Sequence, residues 1–177
     1  MTVRRVVLGE NSAGKAVVIS DGASPRETAF QHIPGFVSAP MWTTPDVPSR
    51  SRSDTDPMAT GGTLLQPPGG STFMVITFPP DAVFMSPDFK PELAGPEHAK
   101  AIPGIAETFE MENPGMHKTP TLDYGVVLDG RISLELDGGV IVNLERGDTF
   151  VQHGARHAWR NPNDKPATIA VVLLGAH

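Results

Sequence analysis

Residues 115–125 read GMHKTPTLDYG, and two of them can do chemistry: His117, and Asp123 six positions later. Imidazole and carboxylate both exchange protons, and both ligate first-row metals. A histidine at Thr119 and a glutamate at Asp123 would make this stretch half of a familiar metal site; a threonine and an aspartate stand there instead. A further histidine, His157, lies in the run HAWRN. The plainer alternative is that His117 is a hydrogen-bonded side chain at a strand start and that Asp123 is a turn or capping residue. The chain has no cysteine, which excludes a disulfide framework, a thiolate zinc site and a cysteine nucleophile. Any metal must sit on histidine and oxygen ligands, and any catalysis must use histidine, carboxylate or hydroxyl groups.

The elements that would position these groups are short. With 177 residues, 18 glycines and 18 prolines, the chain has the length of one domain and many turns. Its net charge of −6 and scattered basic residues argue against nucleic acid as a partner. The start, MTVRRVVLGEN, has too short an apolar run for a signal peptide or a membrane span, so a soluble cytoplasmic protein is expected. Residues 3–8 and 16–20 suit a hairpin around GENSAGK, with Asn11 and Gly14 able to take positive φ. That loop also spells a phosphate-loop pattern. Ala16 follows the lysine where serine or threonine is needed, however, and a β-branched run follows where a helix is needed.

From Pro40 to Gly70 the composition shifts to Pro, Ser, Thr, Gly and Asp, with SRSRSDTD in the middle, and predicts a long surface loop. Residues 71–80 form a strand closed by two prolines. Residues 91–109 are the only plausible helical stretch, and their prolines and glycines keep any helix short. Such an excursion between strands either lids a site or ornaments the surface. The last third is the most regular: YGVVLDG, RISLELDG, GVIVNLERGD, TFVQHG, RHAWRNPND and PATIAVVLLG are short runs separated by Asp-Gly, Gly-Gly and Asn-Pro turns. They predict an antiparallel sandwich or barrel. Ile132, Leu134 and Leu136 alternate with Arg131, Ser133 and Glu135, giving one buried and one wet face, and residues 168–174, apolar on both faces, make a central strand.

The run from Gly115 to Asn161 resembles the two signature motifs of the cupin superfamily, small jelly-roll β-barrels that often hold a metal in the lumen. The first motif, G-x5-H-x-H-x3,4-E-x6-G, aligns as His117, Thr119, Asp123 and Gly130; the second, G-x5-P-x-G-x2-H-x3-N, as Gly147, Gln152, Gly154, His157 and Asn161, one residue short after its first glycine. The resemblance covers about the last 65 residues well. It implies an all-β antiparallel jelly-roll barrel in a single domain spanning 1–177, with an N-terminal hairpin and loop extension over 1–70 and a core of about 71–177. It also implies a metal site on His117, Asp123 and His157, holding one divalent transition metal: iron, zinc or manganese. Thr119 would then lie near the vacant coordination position and bond a metal-bound water or the substrate. If the shorter aspartate fails to reach a metal, His117, Asp123 and His157 become a metal-free acid/base cluster.

Strand parity places the remaining candidates. Gly125, two residues beyond Asp123, leaves lumen space, and Trp159 shares the face of His157 while Ala158 and Arg160 point outward. Gln152 and Phe150 share the face of the preceding strand, and His153, in the turn QHGARH, can reach the mouth. Together they suit a small, partly apolar substrate, although Trp159 and Phe150 serve equally well as plain core. Tyr124, Val126 and Leu128 make an apolar outward face needing cover, from the hairpin or from a second copy; the resemblance implies a homodimer. Two classes of function stay open. One is a metal-dependent enzyme acting on an aromatic or polyketide-like molecule, an oxygenase-type oxidoreductase or a lyase or isomerase. The other is metal-free: an acid/base isomerase, dehydratase or decarboxylase, or a binding barrel without catalysis.

Overall fold

A computed structural model describes residues 2–48 and 55–177, and among them two antiparallel sheets face each other. The larger is built from β3 (Thr28–Ala29), β4 (Val37–Thr44), β5 (Ser71–Phe78), β6 (Thr121–Asp129), β9 (Thr149–His153) and β11 (Ala167–Gly175), in the order β3-β4-β5-β11-β6-β9. The smaller holds β7 (Arg131–Leu136), β8 (Ile141–Glu145) and β10 (His157–Arg160), in the order β10-β7-β8. This is the jelly-roll type of β-barrel, and the final strand β11 is central, between β5 and β6. The N-terminal hairpin, β1 (Arg4–Glu10) with β2 (Ala16–Ala23), forms a separate two-stranded sheet. Two helices complete the fold, α1 (Pro57–Thr60) and α2 (Pro91–Ala101). None of the described helices is long and apolar enough to cross a membrane.

The strands after Asp123 form where alternation and turns demand them. Gly130, Gly138, Gly139, Gly147 and Gly154 all take positive φ between or beside successive strands, the conformation that their turns require. Val127, Ile132, Ala167 and Ile169 are buried together between the two sheets. Each large aliphatic there contributes about 1.5–3 kcal/mol by leaving water.

The smaller sheet covers only part of the inner face of the larger one. Over the rest, Met74, Val171 and Leu173 pack against Ala94 and Ala101 of α2 and against Ile102 and Ile105 just beyond it, with Phe30, Ile33, Phe36 and Leu64 completing this second core. One layer of the sandwich is therefore half sheet and half helix with turns. The seam between the halves is where the histidines lie, because residue 117 bridges both Phe109 and His157.

Several expectations are corrected. Residues 40–44 belong to β4, which runs through Pro40 by a register shift between Pro40 and Trp42; an irregularity of this kind tolerates proline. Beyond it, Met58 and Leu64 are fully buried, so the segment up to Gly70 is not all surface loop, and the part of SRSRSDTD at 49–54 lies outside the described residues. In the first hairpin only Gly14 takes positive φ; the Asn11 side chain instead accepts from the amides of Ala13 and Lys15, and a strand follows Lys15. Ser133 is buried and donates to Asn143. Ala158 is fully buried under Gly115, whose added Cβ would touch it. The hairpin lies against β4 and β5, where Arg5 donates to the Met41 carbonyl and pairs with Asp56, and it leaves Tyr124 and Leu128 uncovered.

Candidate functional site

His117 and His157 face each other because their backbones pair: each amide donates to the other's carbonyl, at 2.9 and 3.0 Å. That pairing puts both side chains on one face, with ring centroids 4.2 Å apart. Each ring is fixed by its own chain. His117 Nδ1 lies 3.1 Å from the Gly115 carbonyl, and His157 Nδ1 lies 2.9 Å from the Ala155 carbonyl. A carbonyl can only accept, so both Nδ1 atoms carry the proton and both Nε2 atoms are bare. The Gln152 amide nitrogen lies against the His157 ring, 2.8 Å from Nδ1 and 3.2 Å from Nε2. Burial lowers the pKa of both rings, and that of His157 is pushed down to about 4 by burial and by the neighbouring His117. Both imidazoles are neutral at physiological pH.

Asp123 sits directly across from Gln152 in the pairing of β6 with β9, on the same inner face. Its carboxylate accepts from the Thr121 hydroxyl, while Oδ1 is buried with no hydrogen-bond partner. The Thr119 and Thr121 hydroxyls lie 2.7 Å apart, and either can donate to the other. Burial outweighs the Thr121 bond and raises the pKa of Asp123 to about 6. The cluster is closed to water: His117, Thr119, Asp123 and His157 are 8, 2, 5 and 3% exposed.

Aromatic side chains wall it. Phe109 stacks on His117 at 4.5 Å, Trp159 meets His157 edge-on at 6.0 Å, and Phe150 packs on Trp159 at 5.0 Å. The space that Gly125 was expected to leave is filled by Phe150, whose ring would lie 2.0–2.6 Å from an added Cβ. His153 lies exposed at the end of β9, paired with Leu122 on the face opposite Gln152 and away from the cluster. Beside the strands that carry the histidines, a polar cleft of about 310 Å³ is lined by Met116, Glu135, Arg156 and Arg160 among others. Its arginines are already paired, Arg156 with Glu110 and Asp137, and Arg160 with Glu135. Thr121 is the one cluster residue not singled out above; the period-two spacing of Thr119, Thr121 and Asp123 carries the signal for it.

Two anchored imidazoles with bare Nε2 atoms are suitable metal ligands. Among the described residues, however, no three His, Asp or Glu side chains converge closely enough to hold an ion. The Gln152 amide nitrogen sits against the His157 ring, and Asp123 lies opposite Gln152 on β6. The residues present do not make the expected His117, Asp123 and His157 ligand set.

Residues 109–173 match the Cupin_2 family, described as the cupin domain. A stretch of 50 residues is 48% identical to oryzines biosynthesis cluster protein J of Aspergillus oryzae and covers 28% of each chain. Another of 46 residues is 41% identical to a cupin-domain-containing oxidoreductase of Hypocrea virens, covering 26% of this chain and 24% of that one. The matched stretches span about a quarter of the length of these curated relatives. A cupin 2 conserved barrel domain protein from Salinispora arenicola superposes with a TM-score of 0.37 at 16% identity, over 59% of this chain and 62% of that one.

Proposed function

We propose that this chain is a cupin enzyme that removes a proton from a small, partly apolar organic molecule, with Asp123 as general base. The observation that carries this reading is the buried Asp123 Oδ1, which lacks a partner in a site otherwise made of neutral donors and aromatic walls. A carboxyl whose pKa lies near 6 is ionised at neutral pH yet basic enough to take a proton in the transition state. Thr121 holds the other oxygen, and Gln152 and the bare Nε2 of His117 supply a donor and an acceptor for a substrate carbonyl or hydroxyl. Proton abstraction next to a carbonyl serves an isomerisation, a dehydration or a decarboxylation, and it also opens many oxidations. The reading is tested by incubating aromatic and polyketide-like carbonyl compounds with the protein in D₂O and following carbon-bound deuterium by NMR. Wild type should catalyse exchange at least about a hundredfold faster than Asp123→Asn, the usual contribution of a positioned base. Equal exchange in both would remove Asp123 from the mechanism.

A second reading, a metal-dependent oxidoreductase, is favoured by the name of the Hypocrea virens relative and by the two carbonyl-anchored imidazoles. Its test is elemental analysis of protein purified without added metal or chelator. About one ion per chain, lost in His157→Ala, supports it; metal-free protein that still turns over dismisses it. For the quaternary state, the uncovered outer face offers Tyr124, Leu128 and Val151 to a second copy, and the proposed homodimer is checked by light scattering of wild type against Tyr124→Lys.

A further inference from the structure

The cluster is closed, so any ligand must enter through something that moves. The layer above it has two unequal halves. The sheet half buries Val127, Ile132 and Ile169 and is tied by continuous strand pairing. The helical half is held weakly. Of the residues of α2 only Ala94 and Ala101 are buried, and Gly95 and Pro96 stand inside the helix. The proline removes one helical hydrogen bond and the glycine adds backbone freedom.

Firm anchors lie on either side. Before α2, the Asp81 amide donates to the Asn161 carbonyl, and the Asn161 amide donates to the Asp81 carboxylate. After it, Ile102 and Ile105 are buried in the core, and the Pro103 carbonyl accepts from Leu64. Between those anchors the segment exposes Phe84, Met85 and Leu93. Besides Ala94, Ala101 and Phe89, which pack on the core, Glu97 and His98 hold it down. Glu97 accepts from the amides of Gln31 and His32, at 2.7 and 2.9 Å. His98 packs between Phe30 at 4.7 Å and Phe36 at 5.2 Å, and touches Phe109, the ring stacked on His117.

We propose that residues 84–101, carrying α2, form a gate to the buried cluster, latched by Glu97 and His98 onto the turn at 30–36 and hinged at the end of α2, just before the anchored Ile102. The gate opens as a local unit while both sheets stay paired, as segments with few buried apolar contacts do. Its value to function rests on the cluster being the reaction site; its existence does not.

The absence of cysteine makes access to the site measurable. In the full chain, Thr119→Cys places a thiol in the cluster and Ser133→Cys places one on the buried strand β7. Each is labelled with a thiol reagent such as Ellman's reagent, alone and combined with Glu97→Ala or His98→Ala. The expected result is that breaking the latch speeds labelling at position 119 about tenfold or more while position 133 keeps its rate. Unchanged labelling at 119 would overturn the gate. Equal acceleration at both positions would overturn it as well, because opening would then be global unfolding. Latch-controlled labelling in a protein without the proposed proton transfer would sink the reaction and leave the gate standing.

Discussion

At the scale of single residues, Asp123 and His157 carry opposite consequences for pH. Asp123 titrates near 6 when folded, above its ordinary value, so its buried charge costs stability that is absent below about pH 4 and fully present above pH 6. His157 titrates near 4 when folded, below its ordinary value, so stability falls as the pH drops from 6.5 towards 4. Asp123→Asn removes only the first effect. Urea unfolding should therefore show the variant more stable than wild type at pH 7.5, by on the order of 2 kcal/mol, with the difference fading by pH 4. A gain that persists unchanged at pH 4 would mean that the charge of Asp123 is not its source. Function and stability oppose each other here, as expected where a base is kept dry. His117, Asp123 and His157 were singled out through the resemblance of their motifs to the cupin pattern. The contact of the Thr119 and Thr121 hydroxyls beside Asp123 was not, since it depends on how the chain enters β6. Nor was the Gln152 amide on His157, because a cross-strand neighbour is fixed only once register is known.

At the scale of elements, the strands from β6 to β11 were legible because each is bounded by residues that can do little but turn. β4 was hidden by Pro40, which reads as a break until the register shift beside it is seen. The fate of the space over Gly125 was also hidden, since Phe150 folds back over the glycine directly opposite it. An alanine there must push the ring into Trp159. Gly125→Ala should lower stability by about 1–3 kcal/mol, an overpacking cost, and should red-shift the fluorescence of Trp159. In the sheet half of the upper layer, Ile132→Ala should cost about 2–5 kcal/mol with the site rings still buried. Thermal melts check both, and an Ile132→Ala protein as stable as wild type would mean that the contact between the sheets is not a tight core.

At the scale of the whole molecule, the architecture separates rigidity from access. Two sheets hold the histidine pair and Asp123 in place, and the proposed gate is a separate segment that reaches them through Phe109. An antiparallel sandwich or barrel was readable from turn chemistry and strand length, and the jelly roll from the resemblance to the cupin motifs. The mixed composition of the upper layer was not, because nothing in the 91–109 stretch tells which surface its helix meets. The account's central claim is that the carboxyl of Asp123 is a buried base tuned towards neutrality, and it can be tested without knowing the substrate. Carbon-13 NMR of the aspartate carboxyls, with Asp123 assigned by its absence in Asp123→Asn, follows that one group through a titration. The expected midpoint is near 6, above the ordinary aspartate range. A midpoint at or below about 4, the ordinary aspartate range, would contradict it.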